Sequence, residues 1–174
     1  MKRLVFVILL LILIPMHLAA AERCTKAKVV KVIDGDTIKV ACRGNKFTIR
    51  LIGIDTPETR HPKKHRQCYG REASQYLKKR IDRKRVRLEY DEEQHDKYGR
   101  TLAYVYRGKT SINAEMIKKG YAFAYRRFPF KYRKAFIDYE KEARRQGRGL
   151  WSACPLSCKG SVCHTGGEHH VPGR

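Results

Sequence analysis

The sequence predicts an α+β domain, and three observations carry the prediction. Five short segments rich in β-branched and aromatic residues, at 25–33, 37–41, 47–53, 86–90 and 101–106, read as strands, the first three separated by turns that contain Gly. Three segments, 72–81, 111–119 and 132–146, repeat their apolar residues at helical spacing. About 150 residues remain once an apolar N-terminus is set aside, enough for one core but not comfortably for two. Five strands of this length fit a small closed barrel or a simple open sheet, and the pattern alone does not choose between them.

The N-terminus reads as an export signal. Lys2-Arg3 precedes the apolar run from Leu4 to Ile14, and Ala19-Ala20-Ala21 supplies a small-residue cleavage site, so residues 1–21 are a signal peptide and the mature chain starts near Glu22. The apolar run is shorter than the ~20 residues of a spanning helix, which argues against a retained membrane anchor. A mature domain over 22–153 and a tail over 154–174 are the expected organisation, secreted or periplasmic and monomeric. The formal net charge of +22, of which Lys2 and Arg3 carry two, is spread along the whole mature chain. Such a field attracts polyanions, nucleic acid first, with anionic lipid or sulfated polysaccharide as the alternatives charge leaves open. Six cysteines, Cys24, Cys42, Cys68, Cys154, Cys158 and Cys163, are disulfide candidates in an oxidising destination.

In chain order, Asp34-Gly35 is a tight-turn dipeptide. Gly35 accepts positive φ and Asp34 can bond its own downstream backbone, so the first two strands form a hairpin. That hairpin would set Cys24 near Cys42, leaving three pairings open for Cys68, Cys154, Cys158 and Cys163. The third strand ends at Pro57, which lacks an N–H and pushes Thr56 into an extended conformation. The loop at 60–70 carries His61, Lys63, Lys64, His65 and Arg66. The helix at 72–81 keeps Ala73, Tyr76, Leu77 and Ile81 on one face. Ser111 is a plausible N-cap for the second helix and Gly120 its stop. The third helix carries Tyr132, Phe136, Tyr139 and Ala143 at helical spacing, read as packing, and ends at Gly147. Tyr121, Phe123, Tyr125 and Phe128 fall between helices amid Arg126, Arg127 and Lys131, a mixture suited to base stacking beside phosphate contacts. The tail offers Cys and His for zinc, but without a close CxxC pair the spacing favours disulfides.

The discriminating feature of so basic a chain is its acid cluster. Asp36 projects from the first turn, and the Asp55 carboxylate, the Thr56 carbonyl and Glu58 follow the third strand. Such oxygen donors suit a hard divalent cation.

Val-Ile-Asp-Gly-Asp-Thr at 32–37, Arg-Leu-Ile-Gly-Ile-Asp-Thr-Pro-Glu-Thr at 50–59, His-Pro-Lys-Lys at 61–64, Tyr-Gly-Arg-Glu-Ala at 69–73, Asp-Lys-Tyr-Gly-Arg at 96–100 and Gly-Leu-Trp at 149–151 occur in one order and spacing. Together they resemble the staphylococcal nuclease-like (thermonuclease) family of secreted nucleases, over roughly residues 26–152. The resemblance favours the closed barrel: a five-stranded barrel of the oligonucleotide-binding type with about three helices packed against it. It implies Ca2+ as cofactor, held by Asp36, Asp55 and Thr56, and hydrolysis of DNA and RNA that leaves 3′-phosphate ends. It further implies that Glu58 orients or deprotonates the attacking water while Arg50 and Arg100 stabilise the charged transition state. Lys63, Lys64, Lys97, Tyr98 and Tyr125 would contact substrate, and Asp34 would support the metal ligands from behind. Arg50 and Asp55 are five apart, an odd separation that places them on opposite faces of a regular strand, so a bend near Gly53 must bring them together. A catalytically silent nucleic-acid-binding barrel and a cationic protein of anionic membranes are the competing readings, and the complete acid and arginine set disfavours both.

Overall fold

Alternating apolar and polar residues produce β1 (Lys26–Asp34), whose Ala27, Val29 and Val32 face inward. The structure, a computed structural model, describes residues 23–59, 67–159 and 162–166. The signal-peptide reading, the loop residues 60–66 with Lys63 and Lys64, and the last eight residues therefore lie outside the described residues. Strand β1 turns at Gly35-Asp36 into β2 (Thr37–Cys42), with Asp34 opposite Thr37 and Lys28 opposite Ala41. The Gly35 N–H donates to Asp34 Oδ1 at 2.8 Å. The expected positive φ at Gly35 is not found. What demands glycine there is space, because a Cβ would stand 2.7 Å from Thr56 Oγ1.

Strand β3 (Asn45–Leu51) pairs antiparallel with β2 and is followed by the two-residue β4 (Ile54–Asp55). Helix α1 (Gly70–Ile81) starts two residues earlier than the spacing predicts and buries Ala73, Leu77 and Ile81. Next come β5 (Arg85–Glu89), β6 (Thr101–Arg107) and the short β7 (Thr110–Ser111). The order β3-β2-β1-β5-β6 is closed by a parallel β3–β6 pairing, Ile49 with Thr101 and Leu51 with Ala103. This makes a closed five-stranded mixed barrel, and the open-sheet alternative is excluded. Closure also sets the end of β3, which carries Arg50, beside the start of β6, just after Arg100.

Helix α2 (Ile112–Lys118) is capped as predicted, with Ser111 Oγ accepting from the Ala114 N–H at 3.3 Å. Its buried Asn113 accepts from the Val105 N–H and donates to the Ile52 carbonyl, both at 2.9 Å, which ties the helix to β6 and to the turn beyond β3. Strand β8 (Phe123–Ala124) pairs with β4, and α3 (Arg133–Arg145) buries Phe136, Glu140 and Ala143. A fourth helix, α4 (Leu150–Ala153), was not expected; it is too short for periodicity to show. Beyond it the tail forms a hairpin, β9 (Leu156–Lys159) with β10 (Val162–Thr165). Cys163 is buried there against Phe123 and Leu150, so this part of the tail is packed onto the domain.

The cysteines pair Cys24–Cys42, Cys68–Cys154 and Cys158–Cys163. The first bridge spans a separation of 18 residues across the β1–β2 hairpin that presents Asp36. Loop-closure entropy gives it about 3 kcal/mol, a large share of the ~5–15 kcal/mol that holds a domain together. The Cys24→Ser/Cys42→Ser variant should therefore melt roughly 5–12 °C below the parent. Unreduced peptide mapping should recover a linked pair containing both residues; either one free, or joined to the tail, would contradict the pairing.

Candidate active site

Arg50, near the end of β3, organises the site. Its Nη1 donates to the Leu51 carbonyl at 3.1 Å and the Ile54 carbonyl at 2.9 Å. Its Nη2 lies 2.9 Å from Asp36 Oδ2 and 3.3 Å from Asp55 Oδ1. The chain reaches this arrangement through a turn at Ile52-Gly53, where Gly53 has φ +76°. The bend predicted from the odd spacing is thus present, and it places Arg50 and Asp55 on the same side. A guanidinium has five N–H donors in a fixed fork; these four contacts take up those of Nη1 and Nη2, which leaves the Nε–H for a phosphate.

Asp36 is buried, with Oδ1 accepting from Thr37 Oγ1 at 2.8 Å and Oδ2 from Thr56 Oγ1 at 3.1 Å. Asp55 keeps 44% of its side chain exposed. Its carboxyl pKa is nonetheless raised, chiefly by the desolvation of its surroundings, opposed by Arg50, raised further by Asp36 and lowered by His164 and Arg127. Among the described residues no three Asp, Glu, His or Cys side chains form a metal cluster. The donor set still fits a hard cation. All the donors are oxygens, and the Asp36 and Asp55 carboxylates converge on one point, 2.9 and 3.3 Å from a single nitrogen. A main-chain carbonyl, water and substrate phosphate would complete such a shell.

Glu58 follows Pro57 and faces the same cleft, about 370 Å³ in volume, which Asp34, Asp36, Arg50, Asp55, Thr56 and Arg100 also line. Its backbone is clipped at both ends by Gln67: the Glu58 N–H donates to Gln67 Oε1 at 2.7 Å and the Gln67 N–H to the Glu58 carbonyl at 2.9 Å. Asp34 hydrogen-bonds the Glu58 side chain, and its own pKa is pushed up to about 6. Burial is the main cause, countered by donors from Thr59 Oγ1 and the Gly35 N–H and reinforced by Asp36 and Glu58. An acid whose folded pKa is raised binds protons more tightly folded than unfolded, so it withdraws stability as pH rises from about 4 to 6. Asp34→Asn should therefore gain on the parent in chelator-containing buffer as pH goes from 4 to 7. Denaturant midpoints with a pH-independent difference would contradict this.

Arg100, just before β6, pairs with Asp96, and both its Nε and Nη2 lie 2.6 Å from Asp96 Oδ2. The Asp96 carboxylate also accepts from the Tyr98 and Arg100 N–H groups, which shapes the turn and lowers its pKa against the effect of desolvation. Tyr98 is 71% exposed, with Lys97 Nζ 5.1 Å and Arg100 Cζ 5.4 Å from its ring centre.

With this geometry in view, comparison with known proteins is decisive. The staphylococcal nuclease homologue family matches residues 48–153. The thermonuclease of Staphylococcus hyicus is 44% identical over 72% of this chain and 75% of its own length. That of Staphylococcus intermedius is 47% identical over 71% and 74%. The SPbeta prophage-derived endonuclease YokF of Bacillus subtilis (strain 168) is 42% identical over 70% of this chain and 42% of its own length. The chain belongs to the staphylococcal nuclease family. It is accordingly an enzyme of the nuclease class, a phosphodiesterase.

Within this nuclease the structure gathers Asp36, Arg50, Asp55, Thr56, Glu58 and Arg100 around one cleft. Lys97 and Tyr98 are grouped with Arg100. Tyr125 lines a second, smaller cavity that shares Asp55 with the main cleft, and its N–H donates to the Gly53 carbonyl at 2.9 Å. Tyr121 and Phe123 are not stacking platforms for bases. Tyr121 is stacked between Tyr69 and Tyr76, at 5.5 and 4.2 Å, while Phe123 is buried edge-on to Trp151 at 5.3 Å. Phe128 is 58% exposed, 5.9 Å from Tyr125. Sequence reasoning missed Gln67 and considered His164 only as a zinc ligand of the tail. Nothing local marks Gln67, and the Cys158–Cys163 spacing hints only at a hairpin.

Proposed function

We propose that this protein is an exported, calcium-dependent nuclease that hydrolyses DNA and RNA without sugar specificity, attacks the 5′ side of the phosphate and leaves 3′-phosphate ends. The carrying observation is the single nitrogen of Arg50 that bridges Asp36 and Asp55 in the cleft that also holds Glu58 and Arg100. Phosphodiester hydrolysis needs a placed water, a group to take its proton, and positive charge where the pentacoordinate phosphorus gathers negative charge. Asp36, Asp55 and the Thr56 carbonyl hold the cation. Calcium bound there supplies positive charge to a phosphate oxygen. Glu58 orients the water and accepts its proton, with its backbone pinned by Gln67. Arg50 and Arg100 donate to phosphate oxygens, their planes fixed by Asp36, Asp55 and Asp96. Lys63, Lys64, Lys97, Tyr98 and Tyr125 contact the strand.

Export is supported by the N-terminal signal pattern and by three disulfides, which persist in oxidising compartments. Among the described residues no helix is long and apolar enough to cross a membrane. The mature protein acts as a monomer, secreted or periplasmic. The test is incubation of purified mature protein with plasmid DNA and with single-stranded RNA, in calcium or in excess chelator. Cleavage of both in calcium alone is expected, and intact substrates in both tubes would overturn the proposal.

A further inference from the structure

We propose that Arg127 and His164 form a second phosphate subsite beside Asp55, which binds a backbone phosphate of the nucleic-acid strand flanking the scissile one. This rests on the nuclease reading above. Both side chains are exposed and line the smaller cavity together with Asp55 and Tyr125. That cavity, about 30 Å³, has room for a water and not for a nucleotide, so a phosphate meets the Arg127 and His164 side chains at its rim.

The two adjacent arginines at this rim are held differently. Of the adjacent arginines, Arg126 is paired with buried Glu140, whose other oxygen accepts from the Ala124 N–H at 2.9 Å. This pair pins the segment after β8 to α3. Arg127, next in the chain, has no ion pair among the described residues. Arg127 and His164 line one cavity with the Asp55 carboxyl. Two donors of positive or polar N–H character beside a carboxylate that serves the cation are placed for an anion that arrives with the substrate.

His164 is held there by the tail and not by the barrel. In β10 it pairs with Ser157, one step from the Cys163–Cys158 disulfide pair, so Cys163 points into the core and His164 faces out. The hairpin is also anchored by the Cys68 N–H to Gly166 carbonyl bond at 3.0 Å and by the Cys68–Cys154 bridge. The family match ends at residue 153, so His164 lies beyond the matched segment. Tyr125 and Phe128 stand beside the subsite and offer rings to the base that follows the bound phosphate.

The test uses the full mature protein with Arg127→Gln, His164→Gln, the double variant, and Lys109→Gln as an exposed charge control. Substrates are a single-stranded DNA 12-mer and a dinucleoside monophosphate, which has one phosphodiester and no flanking phosphate. Binding of a fluorescent 12-mer in chelator is followed by anisotropy. The double variant should raise KM and Kd for the 12-mer roughly five- to twentyfold, each single variant roughly two- to fivefold, with kcat within about twofold. Kinetics on the dinucleoside monophosphate should be unchanged, and Lys109→Gln should shift the 12-mer values less than about twofold. Equal losses on both substrates, no loss on the 12-mer, or a Lys109→Gln effect matching the double variant would overturn the subsite. If the wild type cleaves neither substrate, the nuclease reading fails by itself, and the anisotropy series still decides the subsite.

Discussion

Glu58→Gln should lower turnover by about 10²- to 10⁴-fold while calcium-dependent nucleotide binding survives. The amide keeps the side chain's shape and can still hydrogen-bond Asp34, but it cannot take a proton from water. The backbone clip from Gln67 does not involve the substituted group, so the loop should remain in place. Asp36→Ala should look different. It removes the carboxylate that receives Thr37, Thr56 and Arg50, so the calcium concentration needed for half-maximal cleavage should rise together with the loss of rate. Calcium titrations of cleavage and of nucleotide binding check both. Equal rates in wild type and Glu58→Gln would remove Glu58 from the mechanism.

The second large effect is expected at Gly53. Alanine there must hold φ near +76°, which costs about 1–2 kcal/mol for an L-residue. Its Cβ would also stand 2.5 Å from Phe130 Cε2 and 2.9 Å from Phe136 Cδ2, where overpacking adds about 1–3 kcal/mol. A loss of roughly 2–5 kcal/mol should lower Tm by about 5–15 °C. Activity should fall further than stability explains, because the turn at Gly53 sets Arg50 against Asp55 and its carbonyl receives the Tyr125 N–H. Gly108→Ala is the control: its φ of +60° brings the same backbone cost, yet its Cβ would meet nothing within 4 Å. Thermal unfolding with indistinguishable shifts for the two variants would show that packing against Phe130 and Phe136 contributes nothing.

Much of this site is legible because its residues are written into local chemistry. Asp34-Gly35 and Pro57 mark chain reversals and strand ends without any tertiary information, and the odd Arg50–Asp55 separation demands a bend that only Gly53 can supply. The barrel required more, since the parallel β3–β6 closure joins residues some fifty apart and leaves no trace in either strand's alternation. Strands of two residues, β4 and β8, are too short for a period to appear. Tyr121 and Phe123 misled for a physical reason. Basic neighbours make aromatic rings look exposed, but burial is decided by what folds over them, here Tyr76 and Trp151. The same limit hid Gln67, whose contacts with the Glu58 backbone appear only once the loop between them is folded.

The central claim is that Asp36 and Asp55, brought together by Arg50, hold one divalent cation on which hydrolysis depends. Calorimetric titration of calcium into chelator-stripped protein, with a nucleoside 3′,5′-bisphosphate present as a stand-in for the substrate phosphate, tests it most directly. Wild type should bind one equivalent, Glu58→Gln should retain that equivalent, and Asp36→Ala/Asp55→Ala should lose it while still unfolding cooperatively. Undiminished stoichiometric calcium binding by the double variant would contradict the account.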